Sequence, residues 1–80
     1  MSKIDKLLQR TRNNPKNVRF EDIESLLNGL GFKIRSRGSH YTFRKDRNII
    51  MVVKPHGSKK FTAMADVKKI LAYLKEEGYV

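Results

Sequence analysis

The feature that most constrains the fold is a change in hydrophobic periodicity at Gly31. From residue 20 to residue 30, apolar residues recur at the three- and four-residue spacing of an amphipathic helix. After Gly31, apolar and polar residues alternate one by one, as they do in a strand with one exposed face. Glycine is also the residue type expected just past a helix end. The sequence therefore predicts a helix over residues 20–30 that leads directly into a strand.

Three strands are predicted after Gly31. Gly38 and Ser39 form a turn between two alternating segments, residues 32–37 and 40–44, which make a hairpin. Residues 45–48 form a second turn, and residues 49–53 (IIMVV) are a continuous apolar run, typical of a strand that is apolar on both faces. With a helix before and after the strands, the order is α-β-β-β-α. Two helices on one face of an antiparallel sheet make an α+β two-layer sandwich.

The last helix follows a basic loop at residues 54–60 that contains a proline and a glycine. Thr62 is its predicted N-cap, because a threonine hydroxyl can accept a hydrogen bond from a free amide of the first turn. Its apolar stripe consists of Met64, Val67, Ile70, Leu71 and Leu74. Gly78 is expected to end this helix.

Residues 1–19 are predicted to lie outside this sandwich. Residues 3–12 form a short amphipathic helix with Ile4, Leu7 and Leu8 on one stripe. The polar segment at residues 13–19 contains the helix breaker Pro15 and no periodic apolar pattern, which is typical of a linker. We therefore divide the chain into an N-terminal helix and linker (1–19) and a main domain (20–80).

The composition narrows the chemistry of the chain. Its 80 residues allow one small domain, and 18 Lys plus Arg against 8 Asp plus Glu leave a formal net charge of +10. Such a surface attracts polyanions, so nucleic acid is the leading partner, ahead of anionic lipid or an acidic protein. The absence of cysteine excludes disulfides, thiolate nucleophiles and cysteine-based zinc sites. We expect neither a metal nor a small-molecule cofactor.

The predicted hairpin concentrates positive charge on one face. If its apolar residues face the helices, the opposite face holds Lys33, Arg35, Arg37, His40, Thr42 and Arg44. An RNA phosphate bound there would lie within reach of the His40 imidazole, which can act as general acid or base while the RNA's own 2′-hydroxyl attacks. This reaction needs a proton carrier, positive charge and correct placement, but no metal. The alternative is a structural or merely solvated role for His40.

The basic loop at residues 54–60 holds the second histidine. His56 lies between Pro55 and Gly57, so a place in a tight turn explains it without any function. Lys59 and Lys60 precede the last helix, where they can hold a phosphate backbone beside free amide groups or simply remain solvated. Both interpretations stay open for these residues.

The apolar run at residues 49–53 predicts a surface that something must cover. Alternation separates two sets of side chains, Ile50 with Val52 and Ile49 with Met51 and Val53. Only one set can meet the two main helices, so the other would expose three apolar side chains beside His40. A partner or the N-terminal helix could cover them, and we favour the partner.

Three sequence elements occur in the order and spacing of a known family. They are LLNGLGF at residues 26–32, RGSHYTF at residues 37–43 and VKPHG at residues 53–57. Together they resemble the HicA toxin family of bacterial type II toxin–antitoxin systems, over about residues 20–78. The N-terminal helix and the NNPKN linker are similar to those of a longer subgroup.

This resemblance implies a double-stranded-RNA-binding-like fold and metal-independent endoribonuclease cleavage of messenger RNA, with His40 as the essential histidine. It also implies a HicB-like antitoxin that docks over the site, and it leaves His56 as a secondary candidate. Together with the charge pattern, it predicts the RNA-binding residues Lys33, Arg35, Arg37, Ser39, Arg44, Lys54, His56, Lys59 and Lys60.

Two other functions remain as alternatives. A non-catalytic RNA-binding module of the same fold would read A-form geometry and phosphates through the same basic face. A small DNA-binding or membrane-surface domain is disfavoured, because neither main helix has a continuous basic stripe flanked by bulky apolar anchors. No apolar run approaches the roughly 20 residues that cross a bilayer, and the N-terminus lacks a signal-peptide pattern. We therefore expect a cytoplasmic protein with no membrane partner.

Overall fold

A computed structural model describes residues 3–57 and 59–79 of the chain. Its elements are α1 (Lys3–Asn13), a 3-10 helix (Pro15–Asn17), α2 (Phe20–Gly29), β1 (Lys33–Arg37), β2 (His40–Lys45), β3 (Asn48–Val53) and α3 (Met64–Glu76). The strands are antiparallel, with β2 between β1 and β3. This confirms the predicted α+β fold, the α-β-β-β-α order with an extra N-terminal helix, and a chain path consistent with a double-stranded-RNA-binding-like fold.

Two tight hairpins fix the register of the sheet. In the first, Arg37 pairs with His40 across the Gly38-Ser39 turn, where Gly38 has a φ of 61°. Glycine adopts this left-handed conformation without strain, whereas a residue with a Cβ does not. In the second, Lys45 pairs with Asn48. The two turns therefore determine which side chains of β1, β2 and β3 share a face.

The core lies between one face of the sheet and helices α2 and α3. Phe43, at the centre of the sheet in β2, is fully buried, and β3 adds Ile50 and Val52. The helices contribute Ile23, Leu26 and Leu27 from α2 and Val67, Ile70 and Leu74 from α3. Because such interiors are close packed, truncating Phe43 to alanine would cost about 3–5 kcal/mol. The helical spacing and the strand alternation read from the sequence thus meet in one core.

The ends of α2 and the C-terminal end of α3 agree with the sequence, since Gly78 follows α3 with a φ of 81°. The start of α3 differs. Gly31 has a φ of 97° and follows α2, as predicted. The predicted N-cap at Thr62 is wrong, because α3 begins at Met64 with Ala63 in the cap position. The Thr62 amide instead donates a hydrogen bond to the Val18 carbonyl at 2.8 Å, and its buried hydroxyl has no hydrogen-bond partner within the described residues. A tertiary contact therefore holds Thr62 one residue before the cap.

Helix α1 packs on α2, away from the outer side of the sheet. Leu7 and Val18 are buried within the same core cluster as the main-domain residues. Ile4 lies so close to Gly29 of α2 that a Cβ at this glycine would overlap the Ile4 side chain. Glycine at this position therefore permits the close approach of the two helices. The division of the chain into residues 1–19 and 20–80 stays a prediction.

Candidate functional site

The side of the sheet turned away from the helices, here called the outer face, presents its side chains in cross-strand rows. The rows are Lys33, Arg44 and Ile49; Arg35, Thr42 and Met51; and Arg37, His40 and Val53. Directly opposed residues in an antiparallel sheet have Cβ atoms about 4.5–5.5 Å apart. Each row therefore runs from a cation on β1 to an apolar side chain on β3.

The part of the outer face formed by β1 and β2 is strongly cationic. Lys33, Arg35, Arg37 and Arg44 are exposed, and in residues 3–57 and 59–79 none of them forms an ion pair. Lys33 stands directly opposite Arg44, an arrangement of like charges that destabilises a sheet. A depression of about 440 Å³ lies among Lys33, Arg35, Thr42, Arg44 and Ile49. This charge lowers stability, so an anionic partner explains it better than folding does.

His40 is the first residue of β2 and lies in the row nearest the Gly38-Ser39 turn. Its side chain is exposed between Arg37 on one side and Val53 on the other. In the described part of the chain the ring has no hydrogen-bond partner. The imidazole can therefore exchange protons with a bound molecule, and Arg37 can place positive charge beside that molecule.

The basic loop after β3 is tied to the same end of the sheet. The Lys54 amide donates a hydrogen bond of 2.8 Å to the carbonyl of Ser39, the residue before His40. Beyond it, the Lys59 amide donates to the His56 carbonyl at 3.2 Å. The side chains of Lys54, Lys59 and Lys60 are exposed. The structure therefore brings the RGSH and VKPHG elements together, with His40 and the His56 loop at one end of the molecule.

Lys54 is predicted to bind RNA, but its side chain points toward the helix side of the sheet. Its ammonium nitrogen lies 5.8 Å from the ring centroid of Phe20 and 5.9 Å from that of Tyr41. Phe20 belongs to α2, and Tyr41 alternates with the outer-face residues of β2, so both rings are on the helix side of the sheet. A cation over aromatic faces is held by their quadrupoles. The Lys54 charge thus lies beside the core and not on the outer face.

The apolar side chains of β3 form an uncovered column on the outer face. Ile49, Met51 and Val53 are 58%, 56% and 43% exposed. This confirms the predicted exposure of one side of the IIMVV run, and α1, which packs on α2, does not cover it. Neighbouring exposed apolar side chains are typical of a surface that meets a partner.

A comparison with family models gives one match. The model described as "HicA toxin of bacterial toxin-antitoxin" matches residues 20–76, which is well over half of the chain. The chain belongs to the HicA toxin family. No curated protein and no solved structure gives a significant match.

The HicA match covers the whole sandwich, from the first residue of α2 to the last of α3. All the predicted site residues lie inside the matched range, whereas α1 and the 3-10 helix lie outside it. The part of the chain that matches the HicA family therefore includes the whole outer face. Helix α1 is an addition that packs on its helix side.

The sequence interpretation missed the structural role of Lys45 in this HicA chain. Lys45 donates hydrogen bonds of 2.7 Å to the Leu30 carbonyl and 2.7 Å to the Tyr79 hydroxyl. The hydrogen bond to Tyr79 raises the pKa of the Lys45 ammonium, against a smaller lowering by burial. The sequence did indicate this, because Lys45 follows Tyr41 and Phe43 at two-residue spacing and therefore lies on the same inner face of the sheet.

Two residues of α3 were also missed, and they bind the outer edge of β3. Asp66 Oδ2 accepts a hydrogen bond from the Val53 amide at 3.3 Å. Lys69 Nζ donates one of 2.6 Å to the Met51 carbonyl, and it lies 3.7 Å from Asp66. Their helical i, i+3 spacing places both on one side of α3, but sequence alone does not show which edge they meet. In this HicA chain, α3 therefore supports the strand that carries the apolar column.

Within residues 3–57 and 59–79, no group of three or more His, Cys, Asp or Glu side chains could hold a metal ion. Over the same residues, no helix of this HicA chain is long and apolar enough to cross a bilayer.

Proposed function

We propose that this chain is a metal-independent endoribonuclease that cleaves messenger RNA in the cytoplasm, and that a HicB-like antitoxin inhibits it. The observation that carries the proposal is the setting of His40, which is exposed beside Arg37 on a face whose cations form no ion pair with any described residue. Membership of a toxin family agrees with a harmful activity of this kind. RNA supplies the attacking group of this reaction itself, because its ribose carries a 2′-hydroxyl.

The reaction is attack of a ribose 2′-oxygen on the adjacent phosphorus. A P–O2′ bond forms and the P–O5′ bond breaks, which leaves a 2′,3′-cyclic phosphate and a 5′-hydroxyl. His40 takes the proton from the 2′-hydroxyl as base or gives one to the leaving 5′-oxygen as acid, worth about 10² to 10⁴ in rate. Solvent water makes the other proton transfer. Arg37, opposite His40 on β1, stabilises the negative charge that develops on the phosphate oxygens.

RNA affinity comes from cations on the outer face and in the basic loop that follows β3. The predicted contacts are Lys33, Arg35, Arg37, Ser39, Arg44, Lys54, His56, Lys59 and Lys60. Because Lys54 is held over Phe20 and Tyr41, we expect it to contribute less than the exposed cations of the outer face. Phosphate contacts position RNA without reading its sequence, so sequence preference from these residues is modest.

The antitoxin is proposed to cover the column formed by Ile49, Met51 and Val53. A partner that is apolar at its centre and acidic at its margin complements this column and the adjacent cations. Since Val53 is the cross-strand neighbour of His40, the same contact would block RNA from the imidazole. Inhibition then needs no conformational change in the toxin.

One observation favours the alternative of a non-catalytic RNA-binding module. Catalytic histidines are commonly oriented by a second group, and no hydrogen bond orients the His40 ring among the residues that the structure describes. In this alternative, the outer face binds RNA and His40 adds only a polar contact.

The test is incubation of purified chain with RNA, with and without chelator, beside the His40→Ala variant. We expect fragments that end in 2′,3′-cyclic phosphate and 5′-hydroxyl, unchanged by chelator and absent for His40→Ala. A substrate with 2′-deoxyribose throughout should remain intact. Salt-sensitive RNA binding without fragments would support the non-catalytic module, and cleavage that chelator stops and magnesium restores would contradict the metal-free mechanism.

A further inference from the structure

Beside the outer face, residues that follow β3 line a second depression, which takes no part in the proposed proton transfer. Its volume is about 260 Å³, and its lining includes Val53, Lys54, Pro55, His56, Lys59 and Phe61. This is smaller than the roughly 300–1,000 Å³ of pockets that bury whole drug-sized ligands. The depression therefore suits one planar group and not a complete small-molecule substrate.

Phe61 is the feature of this depression that needs explanation. Phe20, Phe32 and Phe43 are buried, whereas Phe61 is 37% exposed in a segment that follows two lysines. About a third of the Phe61 side chain remains in contact with water, so this position forgoes part of the stabilisation that complete burial would give. A partly exposed aromatic ring in a depression that is also lined by a lysine can bind a nucleic-acid base by stacking.

The depression also adjoins the proposed reaction centre. Val53 lines it and is the cross-strand neighbour of His40, and the Lys54 amide is bonded to the Ser39 carbonyl at 2.8 Å. A nucleotide whose phosphate lies at His40 would therefore have its next base within reach of this loop. Lys59, which is exposed and lines the depression, can then contact the following phosphate. The Lys54 ammonium is directed instead toward Phe20 and Tyr41.

We propose that Phe61 stacks on one unpaired nucleobase next to the scissile phosphate, with Val53 and Pro55 as the apolar walls of this subsite. The inference rests on the proposed function and names its substrate class, because a base held in a duplex cannot enter the depression. The chain therefore acts on single-stranded RNA at this nucleotide, although its fold is of a kind associated with duplex binding.

The experiment measures affinity for two oligomers of equal length and charge. One is a 2′-O-methylated oligoribonucleotide, which has no free 2′-hydroxyl to attack, and the other has the same backbone without bases. We expect Phe61→Ala to weaken binding of the first by roughly 5- to 150-fold, the usual range for loss of one stacked base. Binding of the abasic oligomer and the salt dependence should stay the same.

Two further variants separate stacking from apolar contact. Phe61→Tyr keeps the ring and should keep the preference for the oligomer with bases, whereas Phe61→Leu keeps apolar volume and should lose most of it. Circular dichroism and thermal melting of each variant check the fold. Equal weakening of both oligomers by Phe61→Ala, or no weakening of either, would overturn the stacking proposal.

The outcome also distinguishes this inference from the proposed ribonuclease activity. If wild type does not cleave RNA but Phe61→Ala still loses base-dependent binding, the ribonuclease proposal fails and the subsite stands as part of a binding module. If wild type cleaves RNA and Phe61→Ala changes neither cleavage nor binding, the ribonuclease stands and the subsite fails.

Discussion

The two faces of the sheet are made by the same three strands and have opposite properties. On the inner face, Phe43 is fully buried and Ile50 and Val52 pack beside it under the helices. On the outer face, the same strands expose cations, His40 and the apolar column. Because side chains alternate along a strand, one residue separates a position that holds the fold from one that meets a partner.

Strand β3 makes the comparison sharpest, because its residues are apolar on both faces. Ile49 and Ile50 are the same residue type, yet Ile49 is 58% exposed and Ile50 only 4%. Burying an isoleucine contributes about 1.5–3 kcal/mol, which Ile50 supplies and Ile49 largely forgoes. Identical chemistry therefore serves stability on one face and is available for association on the other.

The largest effect is expected from a charge placed on either side of β3. Ile50→Asp buries an unpaired carboxylate, which costs several kcal/mol against a total stability of about 5–15 kcal/mol, so the domain should unfold. Met51→Asp, one residue away on the outer face, should change stability by less than about 0.5 kcal/mol. It should weaken antitoxin binding more than about tenfold, through lost apolar contact and repulsion of an acidic partner.

Circular dichroism, urea denaturation and a binding titration would measure these outcomes. If both substitutions unfold the free chain to the same extent, the column is buried within the chain. The antitoxin interface must then be sought on the basic loops. Normal antitoxin binding by a folded Met51→Asp variant would remove the column from the interface.

The second prediction compares His40 with its neighbour Tyr41 on the inner face. His40→Ala should lower the cleavage rate by about 10² to 10⁴ and leave the melting temperature unchanged. Tyr41→Ala removes an edge-to-face contact with Phe20, whose ring centroid is 4.7 Å away. It should cost about 2–3 kcal/mol, lowering the melting temperature by on the order of 10 °C.

Thermal melting and cleavage assays, the latter run well below both melting temperatures, give the two readouts. Tyr41→Ala should retain most of its cleavage there, since the residue lies on the helix side of the sheet. A His40→Ala variant that melts much lower than wild type would instead assign this histidine a structural role.

The third and smallest effect distinguishes two lysines, Lys45 and Lys33. Lys33→Gln should reduce the slope of log affinity for RNA against log salt by about one. It should not lower the melting temperature, because it removes a like charge opposite Arg44. Lys45→Gln should do the reverse, because the Lys45 ammonium is engaged by the Leu30 carbonyl and the Tyr79 hydroxyl. Salt titrations and thermal melts of the two variants measure this difference.

The raised pKa of Lys45 adds a pH dependence with a defined sign. A cation whose pKa is higher in the folded state stabilises fully below the ordinary lysine value of 10.5. That stabilisation is lost as pH rises through the raised value. Wild type should therefore lose stability above about pH 10.5 more steeply than Lys45→Gln, and parallel stability curves for the two would contradict this assignment.

The sequence predicted what depends on local periodicity. Alternation with a two-residue turn between Arg37 and His40 was sufficient to place the cations and His40 on one face. The same alternation identified the exposed side of β3.

Contacts between distant segments were beyond this reasoning. The Thr62 amide binds the Val18 carbonyl, and Lys45 binds Tyr79, pairs that no local pattern connects. The direction of Lys54 was equally hidden, because alternation stops being informative where β3 ends. Sequence patterns thus predicted which side chains share a face of the sheet. Contacts with distant segments determined which lysines are engaged within the fold.

The hydrogen bonds from α3 to the edge of β3 bear on how the chain avoids self-association. An outer strand with exposed apolar side chains and free backbone groups is a template for pairing with another copy and for aggregation. Asp66 and Lys69 occupy the Val53 amide and the Met51 carbonyl at this edge, while β1 carries three cations at the opposite one. Edge-to-edge stacking is thus disfavoured at both sides of the sheet, so the apolar column can stay uncovered without seeding fibres.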